Sequence, residues 1–261
     1  PITIPNKTQA ILFGAWADRI WMVSILSSAV VILALVTRYV AVAITWGEFF
    51  HVIGLGLITM TRVLVLIVLA SLIWVPVGVW IGLLPWLAER VQPLAQFLAA
   101  FPANIVFPFA VYLIVYFNAT PDIWLSPLMV LGTQWYILFN VIAGASAFPN
   151  DLKEAAASFQ IRGWRWWRRV ILPGILPHYV TGALTASGGS WNASIVAEMA
   201  NWGNTTLVAH GIGAYIAQAT PAGDYRRVVL GIAVMAVLVI LSNRLIWRPL
   251  YDFAANRLRL D

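Results

Sequence analysis

The sequence has 261 residues, of which 61% are hydrophobic and only 10% charged, and its mean hydropathy is +0.84. A water-soluble globular protein does not carry so much apolar surface, so the composition excludes that class. The chain contains no cysteine, which excludes disulfides, thiolate metal sites and a cysteine nucleophile. Lys7 and Lys153 are its only lysines, and neither lies in a phosphate-binding P-loop. We therefore expect no nucleotide site, no metal, no cofactor and no enzymatic activity in this chain itself.

Long apolar stretches predict six membrane-spanning helices. They lie at 21–37, 55–83, 94–116, 124–148, 174–199 and 228–247. The predicted fold is all-α, with a polytopic membrane domain over 21–250, a helix along the membrane surface over 1–20 and a tail over 251–261. Several prolines interrupt the spans, which favours a transporter over an inert anchor. They are Pro76, Pro102, Pro108 and Pro127.

The distribution of basic residues predicts the orientation, because cytoplasmic connections collect lysine and arginine. With both termini in the cytoplasm, 12 of the 16 basic residues lie on that side. The four exceptions are Arg38, Arg62, Arg226 and Arg227. We therefore expect both termini to be cytoplasmic, and this topology explains the net charge of +6 without nucleic acid.

The longest and most basic cytoplasmic connection is predicted over 149–178. A short helix is expected to run through Glu154, and Gly163 is expected to break it. A second, basic and aromatic stretch then begins and is expected to end at Pro173. The Trp and Arg residues alone are typical of a collar at the lipid headgroups, whereas two short helices at an angle would form a compact knob.

The spacing within this loop resembles the signature of the permease subunits of binding-protein-dependent ABC importers. In that signature Glu-Ala-Ala is followed at fixed distances by a glycine and by Ile-x-Leu-Pro. The matching positions are Glu154, Ala155, Ala156, Leu172 and Pro173. Val170 replaces the isoleucine conservatively, whereas Gln160 stands where the signature has glycine, and we expect the turn at Gly163 instead.

Other parts of the chain resemble the same family. They are 61–64, 76–78, 177, 181–182, 197–198, 211–215 and 244–247. The chain looks most like the nitrate, sulfonate and taurine branch, and especially like the second half of its tandem fused permeases. Because the sequence begins with Pro1 instead of methionine, we expect it to be trimmed, processed or part of something longer.

The resemblance implies a type I ABC importer fold in a bacterial inner membrane, surrounded by lipid. It implies a pathway formed with a second permease half, which is a copy of this chain, a different chain or a fused domain. A cytoplasmic ABC ATPase dimer would dock on the loop, and an extracytoplasmic binding protein would deliver the substrate. The residues carried over to the ATPase contact are Glu154, Ala155, Ala156, Gly163 and Pro173.

Polar groups at membrane depth supply the candidates for the translocation path. The fifth predicted span places Thr181, Thr185 and Asn192 on one helical face, which either bonds to neighbouring helices or lines a wet cavity. Arg62 and Glu198 are ionisable groups near membrane depth and therefore functional hypotheses, although mutual pairing would explain both. The full candidate set is Arg62, Asn104, Thr185, Asn192, Ser194 and Glu198.

The outer segment 200–227 is expected to hold a short helix around 212–217, with three alternatives open: a binding-protein contact, a gate lining or a simple connector. The alternative function is an ion-gradient-driven secondary transporter or channel, which the broken spans and Arg62 fit equally well. The docking loop distinguishes the two, because such a transporter does not need it. An anionic cargo fits Arg62, but the choice between nitrate, a sulfonate and another compound stays open.

Overall fold

A computed structural model describes residues 7–42 and 44–257, and the side chains of residues 16–42 and 44–256. The chain divides into two compact units, the first ending at Trp46 and the second beginning at Gly47.

The first unit contains one long helix, α1 (Lys7–Ala41), of 35 residues. Its stretch Trp16–Ala41 is long and apolar enough to cross a membrane, and nearly all the described side chains along it are exposed. The helix continues through residue 20 without a break. The surface position expected for 1–20 stays a prediction, and residues 1–6 lie outside the described residues.

The described residues of the second unit form helices and one β-hairpin. The longer helices are α2 (Trp46–Gly82), α3 (Pro85–Ala100), α4 (Phe107–Tyr116), α7 (Gln134–Ser146), α10 (Leu172–Ala197), α12 (Tyr225–Ser242) and α13 (Arg248–Arg257). The shorter helices are α5 (Pro121–Trp124), α6 (Ser126–Leu131), α8 (Asn150–Ser158), α9 (Trp164–Trp166) and α11 (Ile212–Ala219). A 3-10 turn occupies Ala103–Val106, and π-helical segments occupy Trp167–Ile171 and Asn243–Trp247. The hairpin pairs β1 (Met199–Trp202) with β2 (Thr205–Val208), antiparallel.

The helices confirm the predicted all-α membrane fold. Four continuous stretches are long and apolar enough to cross a membrane: Trp16–Ala41, Trp46–Gly82, Trp164–Ala197 and Tyr225–Asn256. Two further stretches are long and apolar enough but bent. In the first, α3 is followed at a bend of 74° by the 3-10 turn and α4; in the second, α5 and α6 are followed at a bend of 44° by α7. If each bent stretch is one span, the described residues contain six spans, the number predicted from the sequence.

Three of the four singled-out prolines lie at a bend or in the first turn of a helix. Pro102 stands at the 74° bend, while Pro108 and Pro127 occupy the first turns of α4 and α6. Proline is tolerated in a first turn because its missing N–H would have no partner within the helix there. Pro76 differs, since it lies inside α2 without ending that helix.

Helix α10 packs along α7, and this pair forms the centre of the second unit. Glycines permit the close approach: a Cβ added at Gly182 would lie 2.7 Å from the carbonyl oxygen of Tyr136, and one at Gly144 would lie 2.9 Å from the His178 side chain. Helix α2 approaches α7 in the same way, because Gly78 faces Val141. Small residues allow such contacts where lipid provides no hydrophobic drive for helix association.

Two local features differ from the sequence-based expectation. Pro173 does not end the basic stretch, because α9, the π-helical segment and α10 form one continuous helical span, Trp164–Ala197, that contains it. The β-hairpin was not predicted, since the fifth span was expected to continue to residue 199. The expected outer helix is present as α11.

The packing of α7 on α10 predicts opposite effects for the same substitution at two glycines of α10. Gly182→Ala places a methyl group against backbone atoms of α7, and overpacking of this kind costs about 1–3 kcal/mol. Gly188→Ala meets nothing within 4 Å, and alanine favours the helix by up to about 1 kcal/mol. Thermal unfolding of the purified chain in detergent should show a lower Tm for G182A only. Equal Tm values would contradict the packing.

Candidate functional site

Two sets of polar residues lie at opposite ends of α10. The helix has 26 residues and is therefore about 39 Å long, which is enough to cross the hydrocarbon core. The basic loop precedes its first residue, and Glu198 follows its last. The loop and the cluster around Glu198 therefore face opposite sides of the membrane.

Helix α8 presents the first part of the signature to solvent. Glu154 and Ala155 are exposed, whereas Ala156 is buried, with only 4% of its surface accessible. The helix begins after Pro149, and no side chain caps it. Glu154 and Ala155 are thus available to a partner, while Ala156 packs α8 onto the rest of the chain.

The turn after α8 lies where the signature has glycine. Gln160 adopts a left-handed conformation with φ of 51°, and the N–H of Ile161 donates to the carbonyl of Ala156 at 2.9 Å, which closes the helix end. This conformation costs a non-glycine residue about 1–2 kcal/mol. Gly163 is also left-handed, with φ of 59°, and starts α9. The turn has therefore not moved to Gly163; the loop turns at both positions.

One face of α10 is polar and exposed along most of its length. His178, Thr181, Thr185, Gly188 and Asn192 recur at helical spacing, and all are exposed. The two threonine hydroxyls donate to carbonyls of their own helix, at 3.0 Å and 2.9 Å. An asparagine facing lipid is costly, so a face of this kind fits water or a second subunit better than acyl chains.

An open groove extends this face at the loop end of α10, where α13 packs against the helix. Its volume is about 290 Å³. The lining residues are Asn140, Pro177, His178, Thr181, Tyr251 and Ala255. The groove and the exposed face together offer hydroxyl, amide and imidazole groups and no formal cation from Lys or Arg.

Glu198 is the most deeply buried ionisable residue of the cluster at the other end, with 1% of its surface accessible. Its Oε1 accepts from the Thr59 hydroxyl at 2.7 Å and from Arg62 at 3.1 Å. Its Oε2 accepts from the backbone N–H groups of Gly213 and Ala214 at 2.8 Å and 3.2 Å. The carboxylate therefore caps the first turn of α11, where free N–H groups and the helix dipole favour negative charge.

Arg62 joins this buried carboxylate to a second acid. Its other terminal nitrogen donates to Asp122 Oδ1 at 2.9 Å, and Nη1 also donates to the carbonyl oxygen of His210 at 2.6 Å. Asp122 in turn accepts from the backbone N–H of His210 at 2.6 Å, and its Oδ2 lies 2.9 Å from His210 Nδ1. Arg62 is thus paired with two carboxylates and has no free charge for a cargo anion.

A second polar contact fastens α11 to the start of α2. The Tyr215 hydroxyl donates to Glu48 at 3.0 Å, and Arg227 Nε donates to the same oxygen at 2.7 Å. Burial and the neighbouring Glu48 carboxylate raise the pKa of the Tyr215 hydroxyl above its ordinary value. The hydroxyl therefore keeps its proton and remains a donor.

The six path candidates do not form one group. Thr185 and Asn192 share the exposed face of α10, and Asn104 is exposed in the 3-10 turn at the bend of the third span. Ser194 is buried and donates to the carbonyl of Trp191 at 2.7 Å. Arg62 and Glu198 pair with each other, the alternative left open by the sequence.

The sequence reasoning missed Thr59, Asp122 and His210. One signal was available for Asp122, because it is the only acid between Glu89 and Asp151, and a lone ionisable residue in an apolar region needs a partner. Among the described residues, no group of three or more His, Asp and Glu side chains could hold a metal ion.

Residues 74–247 match the family model described as binding-protein-dependent transport system inner membrane component. The chain belongs to this family. That membership confirms the resemblance seen in the loop, makes the chain a transport subunit, and supports the permease component of an ABC importer over an ion-gradient-driven transporter.

Named relatives place the chain in the expected branch. It is 26% identical over 203 residues to the nitrate import permease protein NrtB of Leptolyngbya laminosa, covering 78% of this chain and 67% of the relative. It is 27% identical to the bicarbonate transport system permease protein CmpB of Synechococcus elongatus, covering 72% and 64%. It is 25% identical to the taurine transport system permease protein TauC of Escherichia coli, covering 70% and 63%. The matches thus span about two thirds of the relatives' length.

A solved structure confirms the fold. A chain of the MetNI methionine ABC transporter in an inward-facing conformation superimposes with a TM-score of 0.58 at 18% identity, covering 79% of this chain and 99% of the other. The type I importer permease fold is therefore shared. The resemblance to the second half of a tandem fused permease stays a prediction.

The buried pair predicts a large stability loss for Glu198→Ala. The change leaves two N–H groups of α11 unpaired and removes one of the two acids around Arg62, and breaking a buried ion pair costs about 3–5 kcal/mol. Glu89→Ala, at an exposed acid, should stay within about 0.5 kcal/mol of the wild type. Thermal unfolding in detergent measures both.

Adding Arg62→Ala to Glu198→Ala gives a second check, because coupled residues are not additive. The double variant should lose less stability than the sum of the two single variants. Full additivity, or a Glu198→Ala variant as stable as Glu89→Ala, would contradict the pairing.

Proposed function

We propose that this chain forms one half of the translocation pathway of an ABC importer and couples it to a cytoplasmic ATPase through the loop around α8. The observation that carries the proposal is the exposed Glu154 and Ala155, in the register of the family signature, at one end of a span with an exposed polar face. The orientation with both termini in the cytoplasm belongs to the same proposal and rests on the basic residues.

The coupling contact is made by the exposed part of the loop. Glu154 and Ala155 touch the ATPase, and Gly163 sets the angle between α8 and α9. Ala156 and Pro173 act indirectly, because the first packs α8 inward and the second lies inside the span Trp164–Ala197. Since that span is continuous from α9 to Ala197, a displacement of the loop moves α10 with it.

The pathway lies along the exposed face of α10, opposite a second permease half. Thr185 and Asn192 line it, and Asn104 contributes from the bend of the third span. The second half is a copy of this chain, a different chain or a fused domain. A binding protein delivers the cargo from the outer side, and closure of the ATPase dimer around ATP shifts the population between the inward-open and outward-open states.

The cargo is a small oxyanion. The relatives are named for nitrate, bicarbonate and taurine, and all three compounds carry an anionic oxygen group. The Asn192 amide donates to such a group without a fixed cation, which keeps binding weak enough for release, whereas the Thr181 and Thr185 hydroxyls donate within their own helix. Arg62, which the sequence linked to an anionic cargo, is held by Glu198 and Asp122 instead.

Charge reversal at Glu154 tests the coupling contact. Glu154→Lys should leave the chain folded and reduce transport per ATP hydrolysed by about tenfold or more, because hydrogen bonds to charged groups are worth about 1.5–3 kcal/mol. The matched control is Glu89→Lys, the same reversal at another exposed acid outside the loop. The measurement is uptake of labelled nitrate, bicarbonate and taurine by vesicles containing the complete transporter, alongside ATP hydrolysis.

The control should behave as the wild type. Unchanged coupling in Glu154→Lys, or the same loss in Glu89→Lys, would refute the assignment of the loop to the ATPase.

A further inference from the structure

The polar cluster at the end of α10 joins four parts of the second unit. Thr59 and Arg62 come from α2, Glu198 follows α10, and Asp122 belongs to α5. His210 lies between β2 and α11. We call this contact between the four parts the seam. The exposed fraction of its side chains is 2% for Glu198, 13% for Arg62, 38% for Asp122 and 78% for His210.

The buried side of the seam is a fully hydrogen-bonded contact around Glu198. Glu198 receives four hydrogen bonds, and the Thr59 hydroxyl that donates one of them also accepts from the N–H of Ile212 at 3.0 Å. Opening it would leave a carboxylate and the first N–H groups of α11 without partners in an apolar region. Gly213 also packs so closely against the backbone of Ser194 that a Cβ at this position would clash with it.

The other side of the seam is accessible to water. The hydrogen bonds of the Asp122 carboxylate go to Arg62 and His210, and water can replace them because both Asp122 and His210 are accessible. The segment that contains Asp122 has an irregular backbone at each end. The turn before it contains Asn118 with φ of 50°, and the 44° break between α6 and α7 follows it.

We propose that the residues around Arg62 form a two-part clamp on the outer side, in which Arg62 pairs with an acid of each part. Its permanent part, Glu198 with Thr59 and the first turn of α11, keeps α11 fixed to α2 and α10. Its releasable part, Asp122 with Arg62 and His210, holds α5 against α2 and the segment between β2 and α11, and separates when the pathway opens to the outer side. The alternation between closed and open states rests on the proposed function; the two-part construction does not.

Spin labels test the clamp in a chain that has no cysteine of its own. Ile123→Cys on α5 and Thr206→Cys on β2 are exposed positions on either side of the releasable contact. Phe50→Cys on α2 and Gln218→Cys on α11 are exposed positions that report on the permanent part. Electron–electron distances are measured for each pair in the complete transporter, without nucleotide and with ATP trapped.

Trapped ATP should add a longer population to the 123–206 distances and leave the 50–218 distances unchanged. Unchanged 123–206 distances, in a complex that still hydrolyses ATP and transports, would overturn the clamp while leaving the proposed function intact. Movement of the 50–218 pair would overturn the permanent part.

Two substitutions separate the clamp from the transport cycle. Without nucleotide, Asp122→Ala should produce the longer 123–206 population by itself, with the 50–218 pair unaffected. Glu198→Gln should instead broaden the 50–218 distances, because one oxygen of the carboxylate that caps α11 becomes a donor. These measurements need no ATPase, so they retain their meaning if no ATPase associates with the chain. Identical effects of both substitutions on both pairs would refute the division into two parts.

Discussion

The carboxylate of Glu198 is the group on which the end of the second unit beyond α10 depends. Glu198 directly follows α10, and its carboxylate caps α11 and pairs with Arg62 of α2, so three elements meet at one buried charge. An isolated carboxylate in this position would be strongly destabilising, and the arrangement is stable because every partner is a donor with good geometry. The backbone of Glu198 also holds the end of the β-hairpin, since the Ala209 N–H donates to the main-chain carbonyl oxygen of Glu198 at 2.8 Å.

Helix α10 links this cluster to the loop on the opposite side. Its buried face packs on α7 and the residue before it through Gly182 and Gly189, and its exposed face carries Thr185 and Asn192. The helical stretch is continuous from Trp164, at the end of the loop, to Ala197, next to Glu198 of the cluster. The proposed pathway face lies on this helix, and the proposed docking loop and outer clamp adjoin its two ends, as the proposed transmission of motion across the membrane requires.

The spans and the first helix of the loop could be predicted because both are local signals, whereas the predicted end of the basic stretch at Pro173 was wrong. Apolar runs of sufficient length define helices in lipid, and the register from Glu154 to Pro173 lies within one connection. The pairing of Arg62 with Asp122 joins residues 60 apart and requires the tertiary fold. The left-handed turn at Gln160 could not be predicted because this conformation is typical of glycine. The hydrogen bond from the Ile161 N–H to the Ala156 carbonyl closes the helix end around Gln160 all the same.

The most direct test of the central claim is purification of this chain from its native membrane in mild detergent, followed by mass spectrometry of the bound proteins and an ATPase assay. The account predicts that a P-loop ATPase and a second permease half co-purify with it and that the eluate hydrolyses ATP. A chain that emerges alone and without ATPase activity, under conditions that preserve other membrane complexes, would contradict it.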